Sequence, residues 1–327
     1  MIKAGLQIPN FTYPGVGPED LFETVATIAT TAESSGFDTV MVMDHFYQLP
    51  LLGPPSNEML EGYTILSGIA ARTDRVNLGT LVTGVTYRNP AILAKTVTTL
   101  DVVSRGRAFL GIGAAWFDVE HEALGVDFPP VKERFERLEE ALQITRGMFR
   151  GEQPTIEGKH YRVKDALNVP APVRAGGPPI MIGGQGEKKT MRMMAQYADM
   201  ANIMGGKDVL PHKIEVLAGH CDALGRDLSD INKTSLSFVM IAPTTAEAEQ
   251  VREQFFQERG MSWDALDDAT KASMEPRMVT GDPDTVGEWL GELLDLGLDG
   301  IVVNLPANGH DPEIVALAGQ VISKLVS

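Results

Sequence analysis

Eight short apolar runs recur along this chain, each followed by a stretch with helical periodicity, and that alternation constrains the fold more than any other feature. The runs span 3–9, 38–44, 76–83, 107–114, 179–184, 199–205, 235–242 and 300–306. Helical patterns lie near 19–35, 60–72, 90–104, 118–124 with 131–150, 187–197, 208–224, 244–258, 283–296 and 312–325. Short runs of Val, Ile, Leu and Met without polar alternation suit parallel strands buried on both faces. Eight strands, each followed by a helix, is the count of a closed α/β architecture, the (β/α)8 TIM-like barrel. Boundary residues agree. Pro18 and Glu19 stand where the first helix begins, Gly36 stands where it ends, and the same glycine ending recurs in LDLGLDGIVV at 294–303.

One barrel domain over residues 1–327 accommodates every unit, with insertions after strand 4 (about 151–179) and before strand 8 (about 260–281). Period-two patterning in HYRVKDALNV places short extra strands in the first insertion. Insertions after barrel strands hang over the catalytic face, so both are candidate substrate walls, and the second is equally a structural cap or oligomer contact.

Composition removes several function classes. Lys and Arg number 28 against 44 Asp and Glu, a net charge of −16, which disfavours nucleic acid because phosphate neutralisation needs clustered cations. The single cysteine, Cys221, excludes an intrachain disulfide and a cysteine metal cluster, and the six histidines lack ligand spacing, so no metal is expected. MIKAGLQIPN lacks a signal-peptide core and no run of about eighteen apolar residues follows. The expectation is a cytoplasmic protein that does not enter a membrane.

In a barrel, chemistry sits at the carboxyl ends of the strands. The second run, VMVMDHFYQLP at 40–50, ends there on Asp44 and His45, which should point into the mouth. Imidazole exchanges protons near neutral pH, yet a strand-end Asp-His pair can equally be structural, the Asp capping a turn and the His satisfied by a carbonyl. The fourth run ends in Gly111, Gly113, Ala114 and Ala115 before Trp116; small residues let a flat ligand approach the backbone, and barrel packing explains them nearly as well. Gly183, Gly184, Gln185 and Gly186 lie between the fifth strand and its helix, where free N–H groups bind anions. Lys188, Lys189 and Arg192 follow, disfavoured at a positive helix end unless solvated or facing an anion. Lys207, after Gly205 and Gly206 in the next unit, adds a cation. No G-x-S-x-G elbow is present, Cys221 reads as a buried structural thiol, and the chemistry therefore falls to an organic cofactor.

MVMDHFYQ, LGTLVTGVTYRNPAILAKTVTTLDVVSRGRAFLGIGAAWFDVEHEALG and PPIMIGGQGEKKTMRMMAQYADMAN together resemble the luciferase-like flavin and deazaflavin oxidoreductases, most strongly over 37–204. Within that superfamily, the luciferase-like monooxygenases, Asp44-His45-Phe46 and the block at 83–88 are most similar to the branch using coenzyme F420. The resemblance implies that Asp44 and His45 line the deazaflavin ring, with His45 moving a proton or orienting substrate. It further implies a non-prolyl cis peptide within Thr80-Leu81-Val82, ring contact from Gly113, Ala114 and Ala115, a phosphate loop at Gly183 to Gly186 with Lys188, and a phosphate contact from Lys207. Phe46 and Trp116 would border the substrate. The implied activity is hydride transfer between the deazaflavin C5 and a small organic substrate. The alternatives are an FMN-dependent monooxygenase of the same superfamily and a non-catalytic F420- or flavin-binding carrier or sensor. The family often forms dimers, so a homodimer is the expected assembly. One departure stands out: sugar-phosphate dehydrogenases of this branch carry a glutamate just after strand 4, where this chain has Ala115, Trp116 and Phe117. Glu120 and Glu122 lie further on and are not expected to reach, which leaves His45 without a partner and turns the expectation from sugar phosphates toward an apolar wall.

Overall fold

The alternation becomes a ring of parallel strands in the computed structural model, which describes residues 1–326. In chain order the first half comprises β1 (Ala4–Ile8), α1 (Pro18–Ser35), β2 (Thr39–Val42), α2 (Gly62–Arg72), β3 (Asn77–Thr80), β4 (Thr83–Gly84), α3 (Pro90–Val103), β5 (Leu110–Gly113), α4 (Asp118–Leu124) and α5 (Val131–Phe149). The short pair β6 (Ile156–Glu157) and β7 (Arg162–Val163) is followed by β8 (Ile180–Gly184), α6 (Thr190–Tyr197), β9 (Met200–Ile203), α7 (Leu210–Leu224) and β10 (Asn232–Ile241). The chain ends with α8 (Thr245–Gln257), α9 (Asp268–Met274), β11 (Met278–Gly281), α10 (Pro283–Asp295), β12 (Gly300–Asn304) and α11 (Pro312–Val326).

Neighbours around the barrel follow the chain: β1 pairs with β2, β2 with β3, β4 with β5, β5 with β8, β8 with β9, β9 with β10, β10 with β12, and β12 returns to β1, all parallel. β3 and β4 are one barrel strand interrupted at Leu81–Val82, whose peptide bond is cis. The bridge between Leu78 and Ala108 closes the ring below that interruption. The barrel expected from the alternation is the fold observed.

The helices surrounding the ring bury one face against the strands, whereas α9 buries no residue. Gly36 ends α1 at φ 110°, a left-handed geometry in which its N–H reaches Ala32 O and turns the chain into β2. A second, smaller cluster of Ile2, Met41, Phe109, Met181, Met200 and Val302 fills the barrel interior. Toward the carboxyl ends of β1 and β12 the interior turns polar: Asn304 Nδ2 donates to Gln7 Oε1 (2.9 Å), and Gln7 Nε2 donates to Leu81 O (2.9 Å). That change of polarity marks the mouth.

In the first insertion, β6 and β7 form an antiparallel pair, the short strands anticipated there. Glu140 on α5 fastens the pair by accepting from the N–H groups of Lys159 (2.9 Å) and Tyr161 (2.8 Å). The second insertion holds α9 and a strand the sequence pattern did not reveal. β11 pairs in parallel with β10 outside the ring, and four residues are too few to stand out as an apolar run. The helix expected over 187–197 begins only at Thr190, so Lys188 and Lys189 precede it rather than crowding its first turn. Among the described residues no helix is long and apolar enough to cross a membrane, and no group of three or more His, Cys, Asp or Glu could hold a metal.

Candidate active site at the barrel mouth

β2 ends at Val42 and delivers His45 two residues beyond the buried Met43. Its imidazole is 12% exposed, edge-on to Trp116 and Phe117 with ring centroids 5.8 Å away in each case. Nδ1 lies 2.7 Å from Glu120 Oε1. Glu120 therefore does reach, contrary to the sequence expectation: α4 turns back over the mouth immediately after Phe117 and aims the carboxylate at the β2 loop. The buried carboxylate also accepts from Phe46 N–H (2.7 Å), Tyr47 N–H (3.2 Å) and the Tyr87 hydroxyl. Burial pushes the Glu120 carboxyl up, but the bonds from His45, Tyr87 and Phe46 outweigh it and hold the carboxyl below its ordinary value. An ionised Glu120 fixes the proton on Nδ1, and Nε2, which has no partner among the described residues, is left to exchange a proton at the mouth.

Asp44 does not open to the mouth as expected. It is 1% exposed and gripped by Arg88, with Nη1 at 2.6 Å and Nη2 at 3.0 Å from its two oxygens. Arg88 also binds Glu61 and lies 4.9 Å over the Tyr63 ring. Burial raises the Asp44 carboxyl, with Arg88 pulling the other way. The pair sits behind His45 and ties the β2 loop to α2 and to the segment after β4. Tyr63 hydroxyl to Thr83 (2.7 Å) and Thr83 to Thr80 (2.9 Å) extend the same network to the interrupted strand.

The glycines of the fourth and fifth strands face protein rather than open space. A Cβ at Gly111 would lie 1.9 Å from Thr80 O, and Cβ atoms at Gly113 and Gly183 would lie 3.1 and 2.9 Å from the Val82 side chain. They make room for the interruption at Leu81–Val82, which enters the barrel at that level. Ala115, next in line, holds φ 58°, a strained conformation for a residue with a Cβ, and steers the chain toward Trp116, which is 61% exposed. Phe46 packs edge-on to Tyr87 at 5.2 Å. Phe46 and Trp116 thus flank the histidine.

The loop ahead of α6 is exposed from Gln185 to Lys189. Among the described residues the N–H groups of Gln185, Gly186, Glu187 and Lys188 carry no hydrogen bond. Lys207 is held elsewhere: its ammonium binds Glu292 and lies 4.2 Å over the Trp289 ring. The cation that meets this loop is instead the buried Lys213, whose Nζ donates to Gln185 O at 2.9 Å. Sequence reasoning passed over it as one residue of a helical pattern; a lysine in the opening turns of α7, near a positive helix end, was the available signal. Free N–H donors beside Lys188 and Lys213 fit a phosphate-bearing cofactor, and the buried Asn304 Oδ1, unpartnered among the described residues, offers an acceptor at the mouth.

A family model described as luciferase-like monooxygenase matches residues 3–300. The F420-dependent glucose-6-phosphate dehydrogenase of Nakamurella multipartita is 31% identical over 326 residues, covering 94% of this chain and 92% of its own. That of Segniliparus rotundus is 31% identical over 326 residues, covering 90% of this chain and 89% of its own. Among solved structures, an F420-dependent secondary alcohol dehydrogenase in complex with an F420-acetone adduct superposes with a TM-score of 0.81 at 18% identity, over 100% of each chain. At that identity the likeness speaks for the fold.

Proposed function

The chain belongs to the luciferase-like monooxygenase family, and from that premise we propose that it is a coenzyme F420-dependent oxidoreductase. The observation that carries this reading is His45, its Nδ1 fixed by the buried Glu120 and its Nε2 unengaged at the mouth of a barrel. The names of the relatives, F420-dependent dehydrogenases over nearly their full length, support the choice of cofactor. Bound there, the deazaflavin supplies a hydride acceptor and donor at C5.

The chain's own residues bind, orient and handle the proton. Gln185 to Lys188 present N–H groups to the cofactor's phosphate, with Lys188 and Lys213 supplying charge. Gly113 to Ala115 and Thr80 to Val82 would border the bound cofactor, and Asp44 acts through Arg88 as a positioning residue. His45 takes the substrate's proton at Nε2, or returns it in the reverse direction, while the Glu120 carboxylate stabilises the imidazolium. Glucose 6-phosphate is not the proposed substrate: Glu120 is occupied by four protein donors, and Ala115, Trp116 and Phe117 stand where the family resemblance implies a glutamate. The proposed assembly is a cytoplasmic homodimer of the 35.4 kDa chain, read by sedimentation and by cell fractionation.

Separate fluorescence titrations with F420 and FMN test the cofactor. Tight deazaflavin binding is expected, and FMN binding without deazaflavin binding would transfer the protein to the monooxygenase reading. His45→Ala is expected to keep F420 affinity and lower kcat by about 10²–10⁴-fold. Undiminished turnover in that variant would take the proton-handling role from His45, and no turnover in the parent with any alcohol or carbonyl offered would favour a carrier.

A further inference from the structure

Glu120 Oε1 accepts from two side chains at once, from His45 through Nδ1 at 2.7 Å and from Tyr87 through its hydroxyl. We propose that Tyr87 is a positioning residue that acts on His45 through this shared oxygen, drawing off part of the carboxylate's charge so that the imidazole releases a proton as readily as it takes one; this rests on the oxidoreductase reading above and names what tunes its proton carrier. Tyr87 lies in the segment between β4 and α3, and ring packing rather than the carboxylate sets its place. It stacks on His121, with centroids 4.7 Å apart and planes 24° apart, and meets Phe46 edge-on at 5.2 Å. His121 is itself fixed, Nδ1 donating to Phe117 O and Nε2 accepting from the Thr86 hydroxyl, each at 2.6 Å.

Two donors on one oxygen compete. A hydrogen bond to an ionised carboxylate stabilises its charge and leaves the oxygen a weaker base toward its other partner. Oε2 offers no relief, because the N–H groups of Phe46 and Tyr47 already occupy it. Burial first, and the Glu120 carboxylate next, push the Tyr87 hydroxyl well above its ordinary value, so it stays a donor through the neutral range. The other charges nearby answer one another: Asp44 adds to that upward push and Arg88 opposes it, and Arg88 binds both Asp44 and Glu61. Relieved of Tyr87, the carboxylate would hold the imidazolium it faces more firmly, and a base that keeps its proton turns over poorly.

Tyr87→Phe keeps both ring contacts and removes only the hydroxyl. Proton NMR of the His45 ring in cofactor-free protein, assigned through His45→Ala, reads the effect. The midpoint of its pH titration is expected to move up by about half a pH unit or more in Tyr87→Phe, the scale set by one hydrogen bond to a charged group. Adding Tyr87→Phe to Glu120→Gln, where the shared charge is gone, should leave the midpoint where Glu120→Gln alone puts it. Equal midpoints in the parent and Tyr87→Phe, or the same displacement in the Glu120→Gln background, would overturn the proposal. A merely structural Tyr87 would lower Tm and leave the midpoint in place. F420 binding is read by fluorescence on separate samples, so a failed cofactor assignment leaves the midpoint shift untouched and the two fail by different signals.

Discussion

Glu120 decides what His45 can do. Replacing it by Gln removes the negative charge that keeps the proton on Nδ1 while preserving shape, and kcat should fall at least tenfold with a changed pH profile. Glu120→Asp should recover part of the loss, an outcome that a merely structural carboxylate would not give. The same residue sets an acid limit on stability. Its folded carboxyl is held below the ordinary 4.5, so its contribution is complete above about that pH and is lost as pH falls through the lower, folded value. Urea denaturation of the Gln variant should therefore show a shallower loss of stability on the acid side. Arg88→Met is the harsher change, because it strands the buried Asp44; it should cost about 3–5 kcal/mol by the same measurement, with Asp44→Asn restoring part of it. None of these partners was legible from spacing. Glu120 lies 75 positions from His45 and Arg88 lies 44 from Asp44, and only the closure of the barrel brings them together.

At the scale of elements, strands and helices could be read because parallel strands and amphipathic helices advertise themselves by period. The interruption of the third strand has no such period, since its two pieces form one apolar run from Val76 to Thr83; only the family resemblance placed a cis peptide within Thr80 to Val82, and it lies at Leu81–Val82. What did register was its complement, the glycines on the facing strands. They were read as room for a ligand or, nearly as well, as barrel packing, and Cβ atoms there would meet Val82 and the Thr80 carbonyl. Gly111→Ala should accordingly cost stability at or above the overpacking range of about 1–3 kcal/mol, seen as a lowered Tm, because backbone rather than a movable side chain blocks the new methyl. The β6–β7 pair makes a second prediction. Lys159 and His160 hold the Glu136 carboxyl down at about 2, so this anchor is intact above pH 4.5 and is lost toward pH 2. Amide exchange of residues 157–163, corrected for intrinsic rates, should quicken over that interval while the barrel strands stay protected.

The whole molecule is closed by its ends. β12 pairs with β1, α11 packs so closely on α1 that a Cβ at Gly319 would lie 2.7 Å from Ser35 O, and Lys3 Nζ reaches Val326 O at 3.2 Å. Deleting residues 312–327 removes the buried Val315, Ala318 and Ile322 and uncovers the faces of α1 and α10 that they cover, and thermal melting should lose its cooperative transition rather than shift by a few degrees. The overall architecture was legible because it is repetitive. The mouth was legible only in part, because a site is assembled from the ends of many units and each contributes one or two residues. That division of labour has a consequence for how such a protein changes over time. His45 and its carboxylate are drawn from the first half of the chain, whereas the apolar cluster beside the carboxyl end of β10 comes mostly from residues 238–278. Substitutions accumulating in the later stretch can reshape that side of the mouth while the pair of His45 and Glu120 drifts under separate constraint, so a lineage built on this barrel can vary the surroundings of its site without rebuilding the pair itself.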